Sequence, residues 1–151
     1  MAKLVTLLEV LSDEDIQWLL STGIEETIGP DTVVIQAGEY IEYIYIVMEG
    51  SLGVFLAQGN KQINTVGPGE ILGEMSYIED TQTSATVMSL ETTVLLKISR
   101  EFLDNRISDE PDFGRRLYKG VSIAVSQRLR QAMLRVDYML DMIEKAKIWH
   151  I

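Results

Sequence analysis

The sequence predicts a mainly β fold, a β-sandwich or β-roll, with helices before it and one long helix after it. Three observations carry this. Short β-branched or aromatic runs alternate with turn residues between Thr32 and Ile98. A capped, helix-periodic segment precedes them, and a sustained a/d series follows Pro111. No strand–helix–strand alternation occurs, which argues against a parallel α/β sheet.

Taken in order, Leu4, Leu7, Leu8 and Leu11 suggest a short first helix. Ser12-Asp13-Glu14-Asp15 has the capping-box pattern, with acidic residues crowding the first turn. Ile16, Leu19 and Leu20 continue at helical spacing, and Gly23 ends the region. Strands are then expected at Thr32–Ile35, Tyr43–Met48, Leu52–Leu56, Gln62–Val66, Ser84–Ser89 and Thr92–Ile98. Turns are expected at Ala37-Gly38-Glu39, Glu49-Gly50, Gln58-Gly59-Asn60-Lys61 and Gly67-Pro68-Gly69. Ser99 is placed to cap a short helix over Arg100–Arg106. Pro111 suits the first turn of the last helix. There Tyr118, Ser122, Val125, Leu129, Ala132, Val136, Met139 and Ile143 form an a/d row, widened by Val121, Met133 and Leu140. One side of this helix is expected on the β-body and the a/d seam on a second copy of the chain.

Composition narrows the chemistry. The 151 residues fit one domain over 1–151, with 46% hydrophobic and 24% charged residues. Within it, 1–30 are expected to be helical, 31–99 to form the β-body and 100–151 to be helical again. There is no Cys, so disulfides, thiolate metal sites and a Cys nucleophile are excluded. The one His is His150, next to the end, which removes Ser-His-Asp catalysis and multi-His metal sites from the fold. The start of the chain lacks a signal-peptide pattern, and no apolar run is long enough for a membrane span. A cytoplasmic protein without membrane contact is expected. Residues 1–110 carry 19 acidic and 5 basic side chains, whereas residues 111–151 carry 4 and 8. The net charge of −10 disfavours nucleic acid and anionic lipid as partners. Glu79 and Asp80 could serve a carboxylate-based hydrolase, but adjacent loop acids read as solvated charge, so no enzyme is expected.

The most informative stretch runs from Gly67 to Val87. It contains Leu72-Gly73-Glu74-Met75-Ser76-Tyr77, four further residues, then Gln82-Thr83-Ser84-Ala85-Thr86-Val87. This resembles the phosphate-binding cassette of the cyclic nucleotide-binding domain, found in catabolite-activator-type regulators, kinase regulatory subunits and gated channels. Gly38-Glu39, Tyr45 to Gly50 and Val66 to Glu70 are similar to that family's glycine turns, in order and spacing. The resemblance implies a jelly-roll-like β-roll, a double-stranded β-helix, with the cassette at 72–87. It implies a cyclic nucleotide ligand, cAMP or cGMP, and no other cofactor or metal. The ligand would be held by Gly73, Glu74, Met75, Thr83, Ser84 and Ala85. Glu74 would accept the ribose 2′-hydroxyl, and the Ser84 and Ala85 backbone with the Ser84 hydroxyl would meet the phosphate. Physically, a helix N-terminus and a closely approaching glycine suit an anion.

One departure matters. The family's Pro-Arg pair is Gln82-Thr83 here. Arginine is a charge-assisted, bidentate partner of a phosphate, while Thr83 can donate one neutral hydrogen bond. Losing a buried charge partner costs about 2–5 kcal/mol, so any cyclic nucleotide is expected to bind weakly. Weak binding, a less anionic ligand, or a cassette kept as architecture and closed by Met75 or Tyr77 all remain open. Too few residues follow Ile143 for the helix-turn-helix domain of the family's regulators, so direct DNA binding is not expected. The leading expectation is a stand-alone, homodimeric sensor that couples ligand occupancy to its long helix. The competing one is an adaptor of the same fold that binds a regulatory partner protein without a ligand.

Overall fold

Eight strands form two four-stranded antiparallel sheets in a computed structural model that describes residues 7–56 and 61–149. The first sheet contains β1 (Ile24–Ile28), β3 (Tyr43–Glu49), β6 (Ile71–Leu72) and β8 (Thr93–Ser99), in the order β1-β8-β3-β6. The second contains β2 (Val33–Ile35), β4 (Leu52–Leu56), β5 (Gln62–Val66) and β7 (Ala85–Ser89), in the order β2-β7-β4-β5. Five helices accompany them: α1 (Leu7–Val10), α2 (Asp13–Thr22), α3 (Glu74–Glu79), α4 (Arg100–Asp109) and α5 (Pro111–Trp149). The mainly β class, the leading helices and the long final helix all match the expectation.

The strand β3 explains the two-layer core. Its residues alternate across the sheet. Val47 points between the sheets, packing with Ile35, Leu52, Val66, Leu72, Val87 and Leu95. Ile44 and Ile46 point the other way, into a second cluster with Leu19, Leu96, Leu103, Phe113 and Leu117. A strand covered on both faces reads as a continuous apolar run, as Tyr43–Met48 does.

Two strands depart from the sequence reading. Residues 1–30 were expected to be helical, yet Ile24–Ile28 is a strand whose Ile24 pairs with Lys97 and whose Ile28 pairs with Thr93. Gly23 ends α2, its N–H donating to the Leu19 carbonyl at 2.8 Å, and its backbone is already extended. Four of the five β1 residues are exposed, so the segment had no apolar face with a readable period. The two-residue β6 is too short to show one. Leu4, the Gln58–Asn60 part of the expected turn and His150 lie outside the described residues.

The helices are joined by a buried carboxylate. Ser12 and Asp15 form the expected reciprocal capping box. Asp15, 1% exposed, also accepts two hydrogen bonds from Arg116 of α5, at 2.6 and 2.9 Å. Arg106 of α4 lies 3.7 Å from it and stacks on the rings of Trp18 and Phe113. Nearby, Gly120 lets α1 press on α5: a Cβ there would stand 2.5 Å from Leu7 and Val10 carbons. α4 runs three residues past its expected end, and Ser99 precedes it without a side-chain capping bond.

On α5, Phe113, Leu117 and Val121 are buried against the body, so Val121 does not widen the seam as expected. Val125 also packs partly on the core. From Leu129 to Ile143, nine large apolar side chains are each 49–65% exposed.

The Arg116 hydrogen bonds hold the Asp15 carboxyl down at about 2, below its usual 3.8, against the opposing effect of burial. A depressed carboxylate stabilises the fold above its unfolded pKa, and that stabilisation fades as pH falls through 3.8 towards 2. Asp15→Asn is therefore expected to lower the melting temperature at pH 7 by roughly 6–12 °C, as loss of a buried pair does. The gap between variant and wild type should narrow as the melts are repeated from pH 5 down to pH 2.5. A gap that stays constant over that range would contradict the assignment.

Candidate ligand site at the cassette

The site is organised by the start of α3. Gly73 has φ +84°, a left-handed conformation that glycine tolerates. A Cβ there would stand 2.5 Å from the end of the Ile41 side chain, which would have to shift, so another residue would meet both a strained backbone and a displaced neighbour. The turn delivers Glu74 as the first residue of α3, where its side chain is buried at 4% exposure.

Glu74 is not left alone in that position. Arg128 of α5 donates through Nη1 to Glu74 Oε1 and through Nη2 to the Ile71 carbonyl at 2.6 Å. Burial pushes the Glu74 carboxyl above its ordinary range, and the Arg128 charge opposes that shift. The rest of α3 is fastened to α4. Tyr77 donates to Asp104 at 2.5 Å, and burial followed by that contact pushes its phenol far up. Arg100 donates to Asp80 at 3.0 Å and to the Ile41 carbonyl at 3.1 Å, and it lies over the Tyr77 ring. One six-residue helix is thus tied to both C-terminal helices.

The phosphate end of the cassette is built differently. Thr83 Oγ1 donates to the Gln36 carbonyl at 2.7 Å and accepts from the Glu39 N–H at 3.3 Å. Its backbone N–H donates to Glu39 O at 2.9 Å, and its carbonyl accepts from Gly38 at 2.8 Å. Ser84 is exposed, and Ala85 opens β7 opposite Leu56. The six anticipated residues therefore fall into two groups, Gly73–Met75 and Thr83–Ala85. Both groups abut the segment from Gln36 to Ile41. Met75 is 52% exposed and Tyr77 turns to α4, so neither closes the cassette. It is Ile41 that sits against Gly73. Glu79 is exposed and Asp80 is engaged by Arg100.

Arg128 and Arg100 were not anticipated. The signal for Arg128 lay in the body-facing row of α5. Phe113, Leu117, Val121, Ala124 and Arg128 follow at steps of four, four, three and four. A charge in such a row needs a buried partner. Arg100 carried no comparable signal, because a basic residue opening a helix after a strand reads as surface.

The pair sets an expectation. Arg128→Gln leaves a buried carboxylate without its cation and should destabilise the fold by about 3–5 kcal/mol. Glu74→Gln alone should cost a similar amount, while the double variant should be less destabilised than the two singles combined. Chemical denaturation of all four proteins measures that coupling. Additive single effects would mean that the two side chains do not act as a pair.

Comparisons with known proteins fit this geometry. Residues 25–110 match the family model described as the cyclic nucleotide-binding domain. The chain is 27% identical over 130 residues to the cyclic AMP receptor protein of Thermus thermophilus, covering 84% of this chain and 58% of that protein. It is 31% identical over 117 residues to a cAMP-dependent protein kinase regulatory subunit of Emericella nidulans, covering 70% of this chain and 28% of that one. The chain thus spans less than two thirds of the length of these relatives. Among solved structures, the catabolite activator protein of Thermus thermophilus superposes with a TM-score of 0.70 at 25% identity, covering 88% of this chain and 62% of that one. A cyclic nucleotide-binding domain from Methylobacillus flagellatus gives a TM-score of 0.77 at 24% identity, over 83% of this chain and 72% of that one. With the cassette, the two sheets and the family model in agreement, this chain belongs to the cyclic nucleotide-binding domain family.

Proposed function

We propose that the chain is a regulatory, non-catalytic sensor module of the cytoplasm, and that a cyclic nucleotide competes with Arg128 for Glu74. The observation that carries this reading is the Arg128–Glu74 contact between cassette and long helix. The relatives' names supply the ligand class, since they are cyclic AMP receptors and cAMP-dependent regulatory subunits. A ribose hydroxyl donating to Glu74 weakens the hold of Arg128, and α5 is released from one of its attachments to the body. By linkage, whatever repositions α5 changes the ligand affinity by the same factor.

The same helix offers the means of assembly. The apolar row of Leu129, Val136, Met139 and Ile143 is exposed on the single chain. It suits a seam with a second copy. Leu129→Asp together with Val136→Asp avoids Val125, which packs on the body, and should convert a dimer to a monomer in sedimentation without lowering the melting temperature of the body. A wild type that sediments as a monomer at high micromolar concentration would sink this part of the proposal.

A second reading is favoured by Thr83. Its hydroxyl already serves Gln36 and Glu39, and a threonine brings no charge to a phosphate. In that reading the fold is an adaptor for a regulatory partner protein and binds no nucleotide. Titration calorimetry with cAMP and cGMP separates the two. The sensor reading expects saturable binding, roughly 30- to several-thousand-fold weaker than with an arginine at the cassette. Thr83→Arg should then tighten binding by about 30-fold, despite two lost loop hydrogen bonds. No heat from either protein at millimolar nucleotide would favour the adaptor.

A further inference from the structure

A second site lies on the far side of α4 and shares no residue with the cassette. An open cavity of about 290 Å³ separates α2 from α4. Trp18 and Phe102 supply aromatic walls, and Asp109 and Glu110 supply carboxylates. Phe102 is 48% exposed, which leaves its ring available at the cavity mouth.

Arg106 also lines the cavity, but its charge is directed inward. Its Nε and Nη2 atoms are shielded from solvent. The guanidinium stacks on Trp18 and Phe113 and is neutralised by Asp15 at 3.7 Å and Glu110 at 3.2 Å. What the cavity presents to solvent is therefore ring surface beside carboxylate. That combination is selective. An ammonium or guanidinium gains from a ring face and from the nearby acids, whereas an anion meets repulsion. The field of the first 110 residues, with 19 acidic and 5 basic side chains, adds steering of the same sign.

The geometry points to a docking site for a basic peptide segment of a partner protein, with one arginine or lysine side chain seated between Trp18 and Phe102 and paired with Asp109. It goes beyond the sensor reading and holds whether or not a nucleotide binds.

Trp18 reports on the cavity directly. The chain has two tryptophans, so Trp149→Phe leaves Trp18 as the single reporter. The probe is a blocked octapeptide of alternating arginine and glycine, with the glutamate–glycine octapeptide as control. Saturable change in Trp18 emission is expected with the basic peptide at low salt, weakened severalfold in 0.5 M salt, as exposed ion pairs are screened. Phe102→Ala with Asp109→Asn should weaken it by about tenfold or more, with an unchanged melting temperature showing that the fold survives. The proposal would be overturned by no saturation at millimolar basic peptide, by equal binding of the acidic peptide, or by undiminished affinity in the double variant. A shift in the sedimentation of the double variant alone would assign the cavity to a second copy instead, which also overturns it.

Discussion

The contact between Glu74 and Arg128 is the constraint on which the cassette depends. A carboxylate 4% exposed at the start of a short helix is unfavourable unless a cation accompanies it. The only cation that reaches it among the described residues comes from α5, more than fifty positions later. The pair also ties α5 to the β-roll beside the cassette, because Arg128 donates to Ile71 at the adjoining strand. A buried ion pair of this kind adds little net stability over an apolar pair, but it is costly to break from one side. It therefore specifies an arrangement more than it strengthens one.

Much of the fold was legible because its elements have faces. The β3 run, the capping box at Ser12–Asp15 and the glycine turns each state a local requirement that tertiary structure did not override. β1 was not legible, since Ile24–Ile28 lies on an edge with most side chains in solvent and shows neither a period of two nor one of 3.6. The site was legible by resemblance at Gly73 and Glu74, where a left-handed turn and a helix start need those residue types. What Glu74 touches was not, because a contact between residues 54 positions apart leaves only a trace in the sequence, an arginine in an apolar row.

The long helix shows where a periodic pattern misleads. Its a/d row is unbroken from Tyr118 to Ile143, yet the body takes the flanking Val121 and part of Val125 and leaves the remainder exposed. A second row explains this. Phe113, Leu117, Val121, Ala124, Arg128 and Arg135 face the body, Arg135 donating to Ile63 and Asn64. Beyond that point the helix's large apolar side chains are exposed among the described residues. Sequence periodicity gives the angular position of a face but not the point along the axis at which its cover ends.

Thr83 has a consequence for how the cassette behaves without a ligand. An arginine at this position would carry a charge that wants an anion, so the empty turn would hold an unpaired cation. Thr83 instead satisfies its own hydroxyl within the loop, using Gln36 and Glu39, while its backbone closes two further bonds to Gly38 and Glu39. Four hydrogen bonds order the turn with no anion present. Order at the phosphate end therefore needs no anion, and the proposed sensor would respond at the other end of the cassette. There the Glu74 carboxylate, pushed up by burial and opposed by Arg128, is the group with a partner to exchange. In the proposed sensor, that exchange is the step through which a ligand at the cassette would act on α5.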